Sequence, residues 1–332
     1  MTVAIPTLAA DERLEQCVAS LVRQTWPDLE IVVVDNSGRS LARSRLKGRP
    51  DVRVIESAGN QGFGAAVNRA WRESTGDLLA TLNDDAVAAP GWAEALARAI
   101  QQNESIGMCA SQVRMAGEGV LDSAGLRIAR DGSSKQRGQS QPPREYGTAS
   151  EVLCPSGSAA LYRRTMIDQI GGFDEDFFLY CEDTDLGLRA CRAGWSCLYV
   201  PEAVVEHEYS RTAGRVSDLK AYLVERNRLR LAVKNFPVPW LAAVPWYSLL
   251  RYFWHAVLLA GGRGTASRYS REGGSAWRLI RMVLKAHGAL LAAVPKLLRQ
   301  RGEIARRARM PAREFIALMR RHEISVREVA EL

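Results

Sequence analysis

At 332 residues, with 47% apolar and 25% charged side chains, the chain has the composition of a folded protein and room for a catalytic domain plus a smaller one, which sets disorder aside. The net charge of +8 is unevenly spread: residues 1–210 carry 21 basic and 29 acidic side chains, and residues 211–332 carry 24 and 8. The six cysteines show no C-x-x-C pair or metal-finger spacing, and the opening "MTVAIPTLAADERL" has no basic n-region or apolar signal stretch, so reduced thiols in an intracellular, cytoplasmic chain are expected.

In chain order, "TVAIPTL" reads as a strand, "ERLEQCVASLVRQ" as a helix, "EIVVVDN" as a buried strand and "FGAAVNRAWREST" as a helix. "DLLATLN" and "WAEALARAIQQN" add a strand and a helix that begins after Pro90. This alternation predicts an α/β fold with a mostly parallel sheet, helices on both faces and functional residues at the strands' carboxyl ends. Gly117 to Thr148 is rich in Gly, Ser, Pro and Arg and is expected to be a mobile loop. Beyond it come a strand near Ala159 to Tyr162, helices around Thr165 to Ile170 and Thr184 to Ala193, and a strand at Ser196 to Val200.

After about Ser210 the composition turns to Arg, Leu, Ala and Trp, dividing the chain into a catalytic domain at 1–210 and a helical, basic region at 211–332. "LKAYLVERNRLRLAVKNF" is a basic helix, and "PWLAAVPWYSLLRYFWHAVLLAGG" is apolar but broken by Pro245, Arg251 and His255. A spanning helix needs about 20 predominantly apolar residues, so an interfacial helix fits this stretch better. An anionic membrane surface is the expected partner, with packing within the protein or against a second copy, a homo-oligomer, as the alternatives. No nucleic acid is expected, because the aromatics cluster with Leu and Val instead of spacing along a basic groove.

The turn after the first strand, "PTLAADERL", has no glycine, and no G-x-x-x-x-G-K-[ST] occurs, so dinucleotide and P-loop sites are set aside. The apolar run Leu78 to Leu82 ends in Asn83, Asp84 and Asp85, hard oxygen donors suited to Mg²⁺ or Mn²⁺; a polar turn with Asp as a helix cap is the other reading. Asp35 closes "EIVVVD" and either reads a nucleobase or ribose or forms an Asx turn. Glu182 and Asp183 open a helix, as a cap or as a general base near a phosphate site. His207 alone would be structural or exposed, but with the two acidic clusters it could complete a metal site with Asp85.

Taken in order, "VAIPTL", "QTWPDLEIVVVDNS", "GNQGFGAAVNRAW", "GDLLATLNDDA", "PSGSAALYRRTMIDQIGGFDEDFF", "EDTDLGLRACRAGW", the histidine at 207 and "ERNRLRLAVKNFP" resemble the family 2 glycosyltransferases of GT-A fold, particularly their bacterial rhamnosyltransferase-like branch. The resemblance implies a nucleotide-sugar donor site lined by Pro6, Thr7, Asp35, Asn60, Gly62, Asn83 and Asp84, with Asp35 on the base. It implies Mg²⁺ or Mn²⁺ on Asp85 and His207, and Asp183 as catalytic base with Glu182 second. Gly157, Ser158 and Arg226 are implied at the acceptor or its phosphates, although "RNR" at 226–228 also reads as helix surface. Asn83 departs from a strict D-x-D, which implies a looser hold on the metal. The implied activity is inverting transfer of a sugar, L-rhamnose from dTDP-rhamnose in the leading reading, to a lipid-linked saccharide in cell-envelope polysaccharide synthesis, at the inner face of the plasma membrane. The alternatives are a sugar-nucleotide nucleotidyltransferase, whose glycine-rich phosphate loop is absent, and a catalytically silent lipid- or nucleic-acid-binding protein.

Overall fold

The computed structural model describes residues 1–208 and 217–332, and these fall into two compact units. The first holds residues 1–126 and 136–208; the second holds 127–135 and 217–332. Residues 127–135, part of the polar stretch in the front half of the sequence, thus group with the carboxyl-terminal helices.

The first unit runs β1 (Thr2–Thr7), α1 (Glu12–Val22), β2 (Glu30–Asp35), α2 (Leu41–Arg45), β3 (Val52–Glu56), α3 (Phe63–Arg72), β4 (Leu78–Leu82), β5 (Ala86–Ala88), α4 (Trp92–Gln101), β6 (Ile106–Met115) and β7 (Leu121–Ser123). A separate ribbon pairs β8 (Leu126–Ile128) with β9 (Ser134–Gln136). Then follow β10 (Ser150–Val152), β11 (Ala159–Arg163), α5 (Arg164–Ile170), α6 (Glu182–Arg192) and β12 (Ser196–His207). The main sheet has the order β10-β12-β6-β11-β4-β1-β2-β3, with β5 on β12 and β7 on β6. Strands β4, β1, β2 and β3 are parallel; β11 runs antiparallel between β4 and β6, and β12 is again parallel to β6. This is a mixed, mostly parallel sheet.

Helix α1 forms because Leu14, Cys17, Val18 and Leu21 recur at helical spacing and all are buried, and because Asp11 caps it through the Arg13 amide. They pack with Trp92, Leu96 and Ile100 of α4 on one face of the sheet, against Ile5, Val33, Leu82 and Leu161. Tyr162 points to the other face, where it meets Trp71 of α3 at a ring separation of 5.4 Å. Phe173 stacks on Trp71 at 5.4 Å and closes this second core. All six cysteines are free and buried.

Two expectations change. The polar stretch expected as a mobile loop contains β7, β8 and β9 and buries Asp122 and Asp131. Its polar residues are satisfied by groups remote in sequence, which local composition does not register. Strand β12 extends well past Val200, where the sequence analysis ended it, to His207, after a register irregularity between Val200 and Val204.

The second unit contains α7 (Asp218–Asn235), α8 (Val238–Ala260), α9 (Gly264–Arg271), α10 (Ala276–Arg307), α11 (Ala312–Arg321) and α12 (Val326–Glu331). Its interior holds charges. Arg228 of α7 is fully buried and donates to Glu225 Oε2 (2.9 Å), the Asp131 carbonyl (2.8 Å) and Ser248 Oγ (3.0 Å). Arg251 of α8 donates to Asp131 Oδ2 (2.5 Å) and Glu225 Oε2 (2.7 Å). Burial works against the two carboxylates, yet the Arg251 and Arg228 guanidiniums hold both below the usual carboxylate range. Arg228 is therefore neither helix surface nor a phosphate clamp.

Removing one member leaves an uncompensated buried charge. Arg228→Met should lower the stability of the second unit by about 3–5 kcal/mol, read in urea unfolding. Because the carboxylates' pKa values are depressed, the stability they confer is present above ordinary carboxylate pKa values and should fade as pH drops through the depressed ones.

Candidate active site

Sequence-singled residues of the first unit gather at the carboxyl ends of β1, β2 and β4. Thr7 ends β1 opposite Asp35 at the end of β2. The Thr7 hydroxyl donates to Asp84 Oδ2 at 2.5 Å and accepts from the Ala10 amide, tying the start of the first loop to the Asn83-Asp84-Asp85 turn. Pro6, one residue earlier in β1, is half-buried opposite Val34. Burial, reinforced by the charge of Asp85, raises Asp84 to about 6 against the pull of the Thr7 hydrogen bond and Arg13.

Asp35 is buried and spends its carboxylate on the backbone: Oδ1 accepts from the Ser37 amide (2.8 Å) and Oδ2 from Ala42 (2.7 Å). The Asx turn offered by the sequence is thus present, and it also holds the start of α2. Asn60 Oδ1 accepts from the Gly62 amide at 2.9 Å, ordering the approach to α3. Gly62 has φ +89°, and a Cβ there would lie 2.2 Å from the Phe178 carbonyl oxygen, which also accepts from the Phe63 amide. Glycine at 62 is therefore demanded twice, by conformation and by space.

Asp85 and His207 meet through the sheet. Strand β5 pairs antiparallel with β12 so that His207 lies opposite Ala86, one residue beyond Asp85. His207 Nε2 is 3.1 Å from Asp85 Oδ1 and 3.2 Å from Asn83 Nδ2, and its Nδ1 is 2.8 Å from Asp122 Oδ2. Burial alone would lower the imidazole pKa, but the Asp122 hydrogen bond and the nearby Asp85 carboxylate outweigh it and raise His207 to about 10. Asp85 Oδ1 is buried and accepts no well-formed hydrogen bond. Among the described residues no group of three or more His, Cys, Asp or Glu is placed to hold a metal. The Asp85–His207 pair nonetheless suits one: a buried carboxylate oxygen without a hydrogen bond faces an imidazole nitrogen, and a divalent ion would take both as ligands, displacing the Nε2 proton. Asp122, in the stretch that the sequence reading assigned to a loop, was missed there.

The second acidic cluster opens α6. Glu182 is buried, Asp183 is half-buried, and Glu182 Oε2 has no hydrogen-bond partner. Burial raises both carboxyls above the usual range; the charge of Asp183 adds to the shift at Glu182, while amide bonds from Gly157 and Thr184 restrain it at Asp183. The Gly157 amide donates to Asp183 Oδ2 at 3.0 Å, and the Ser158 carbonyl accepts from the Asn83 amide at 2.9 Å. One dipeptide therefore fastens the second acidic cluster to the first. Asp185 belongs to the scaffold: its carboxylate holds Arg189 (2.8 Å), whose other donors bind the carbonyls of residues 170–172. Arg226 belongs to α7 of the second unit, where its guanidinium lies over the Tyr222 ring.

The profile described as Glycosyl transferase family 2 matches residues 2–171. The chain is 32% identical over 243 residues to the N-acetylglucosaminyl-diphospho-decaprenol L-rhamnosyltransferase of Mycobacterium tuberculosis, a match covering 65% of this chain and 79% of that protein. Among solved structures it superposes on GalNAc-T7 with UDP, GalNAc and Mn²⁺ at a TM-score of 0.60 and 16% identity, over 75% of this chain and half of the other. It superposes on S. aureus TarS 1–349 at 0.52 and 16% identity, over 98% of this chain and 90% of that one. These likenesses show the fold.

The demand for glycine at 62 is testable against a control. Gly62→Ala meets both strain and the Phe178 carbonyl, whereas Gly171→Ala, at φ +83° with nothing within 4 Å, meets strain alone. Thermal melts should show a loss of about 1–3 kcal/mol at Gly171 and clearly more at Gly62.

Proposed function

The chain belongs to glycosyl transferase family 2, and from that premise we propose that it is an inverting, metal-dependent glycosyltransferase that moves a sugar from a nucleotide donor to a lipid-linked saccharide. The carrying observation is the Gly157-Ser158 link, which fixes Asp183 relative to the Asn83-Asp84-Asp85 turn. Asp183 takes the proton of an acceptor hydroxyl as that oxygen attacks the anomeric carbon, and the bond from this carbon to the diphosphate oxygen breaks. Its partly buried position leaves room for contact with an acceptor, and burial raises its pKa, which makes it a stronger base. A divalent ion on Asp85 and His207 would supply charge stabilisation for the departing nucleoside diphosphate. Thr7, Asp35, Asn60 and Gly62 shape the donor end. L-rhamnose is the leading sugar, supported by the mycobacterial relative's name, with dTDP-rhamnose as the donor and cell-envelope polysaccharide synthesis as the setting proposed from the sequence resemblance.

Release of nucleoside diphosphate from a panel of sugar nucleotides, with Mn²⁺ or Mg²⁺ and with EDTA, tests this reading. One donor should turn over, and turnover should vanish with EDTA and fall at least about 10³-fold in Asp85→Ala and Asp183→Asn. Because the pKa of Asp183 is raised, kcat/KM should fall with decreasing pH from a point above the ordinary carboxylate range. Turnover unchanged by EDTA would refute the metal, and full activity in Asp183→Asn would refute the base.

The second unit supports an anionic membrane surface as the place of work. Among the described residues no helix is long and apolar enough to cross a membrane. On α10, Trp277, Ile280, Leu284, Leu291 and Leu298 form one exposed stripe at helical spacing, and Arg278, Arg281, Lys285, Lys296 and Arg299 line one flank of it. On α8, Trp246, Leu249, Phe253 and Val257 form an exposed stripe without a charge. The basic flank on α10 selects anionic lipid as the occupant. Flotation with phosphatidylglycerol vesicles should show binding that weakens with salt and is lost in a Trp277→Glu, Leu284→Glu variant. Equal binding to neutral vesicles would exclude the electrostatic part, and loss of a dimer in that variant would assign the stripe to a second copy.

A further inference from the structure

We infer that Asp122 is a positioning residue that sets the metal affinity of His207 and offsets the carboxylate missing at Asn83; this rests on the metal-dependent reading above. Three observations converge on it. First, Asp122 sits at a bulge: β6 and β7 pair Val113 with Ser123 but Arg114 with Leu121, so Asp122 is the extra residue of its strand. A bulge beside a site re-aims a side chain, and this one turns a carboxylate inward. Second, that carboxylate is buried, with Oδ2 at 2.8 Å from His207 Nδ1 and Oδ1 without a hydrogen bond. Burying a carboxylate is costly unless it is paired, and among the described residues the imidazole is the partner the structure shows. Third, the contact fixes the opposite nitrogen: with Nδ1–H held on Asp122, Nε2 faces Asp85 Oδ1 at 3.1 Å.

A carboxylate behind a ligating imidazole fixes its tautomer and ring plane and raises its basicity. In this chain the need is specific. Asn83 stands at the first acidic place of the motif and puts an amide nitrogen, not a carboxylate oxygen, 3.2 Å from His207 Nε2. The formal charge absent from that side of the ion is supplied from behind the histidine. The two devices should therefore be interchangeable in part: a carboxylate restored at 83 should lessen the dependence on Asp122.

The test is direct Mn²⁺ binding, read by the loss of the free-ion electron paramagnetic resonance signal, in the presence of dTDP and without any acceptor. Asp122→Asn should weaken Mn²⁺ binding by about 10–100-fold. Asn83→Asp should tighten it, and in Asn83→Asp, Asp122→Asn the loss due to the second change should be smaller than in the parent. Melting without metal is followed in parallel, and binding is referred to folded protein. Wild-type Mn²⁺ affinity in a folded Asp122→Asn variant, even one of lower Tm, would make Asp122 purely structural and overturn the inference. Equal losses in both backgrounds would overturn the compensation by Asn83. If the wild type bound dTDP and turned over a donor but bound no Mn²⁺, the metal-dependent reading itself would fall.

Discussion

His207 stands between two carboxylates, and the first unit's candidate chemistry depends on that contact. The pairing of β5 with β12 places it opposite Ala86, and the bulge in β7 brings Asp122 up behind it. The Asp122 contact at Nδ1 orients the ring so that Nε2 faces Asp85 at 3.1 Å. The contact also knits the sheet: it joins the ends of β12 and β7 to the turn after β4, which are distant in sequence and served by separate ladders. Stability and site geometry are here one interaction.

The second acidic cluster is placed by a different device. Phe178, Tyr180 and Cys181 all adopt positive φ in the stretch just before Glu182, and none of them is a glycine. Such a conformation costs about 1–3 kcal/mol per residue and persists only where the surroundings over-determine it. The surroundings do so. Asn68 brackets Phe173 with paired bonds of 2.8 and 2.9 Å, Phe173 stacks on Trp71, and the Phe178 carbonyl is seated against Gly62 and the Phe63 amide. At the other end, Gly187 lets α6 approach Cys154 so closely that a Cβ would lie 2.1 Å away. The strained run therefore delivers Asp183 to the Gly157 amide while its neighbours hold the loop to α3.

The second unit follows another principle. Its interior pairs Arg228 and Arg251 with Asp131 and Glu225, a balanced set that fixes one arrangement of α7, α8 and the 127–135 excursion through directional bonds. Its apolar core includes Phe236, Trp240, Phe315 and Ile324, and two apolar stripes on α8 and α10 stay on the surface, the faces proposed above to meet lipid.

The sequence by itself determined most of the α/β alternation, from β1 through α4, because those elements announce themselves by local periodicity. It also supplied the two acidic clusters and the histidine as candidates, since Asp and His after apolar runs are visible one residue at a time. Only the tertiary structure decided which of them meet. Strand β6, nearly all buried yet containing Ser111, Gln112 and Arg114, shows no alternation to read. Asp122 and Asp131 lie in a stretch whose local composition resembles a loop, and Arg228 in a helix whose basic character suggests a surface. Each is settled by partners 85 to 120 residues away, as the contacts Asp122–His207, Asp131–Arg228 and Asp131–Arg251 record. Burial of a charge is a property of the pair, and a pair that distant is formed by strand register and helix packing, which local sequence does not encode.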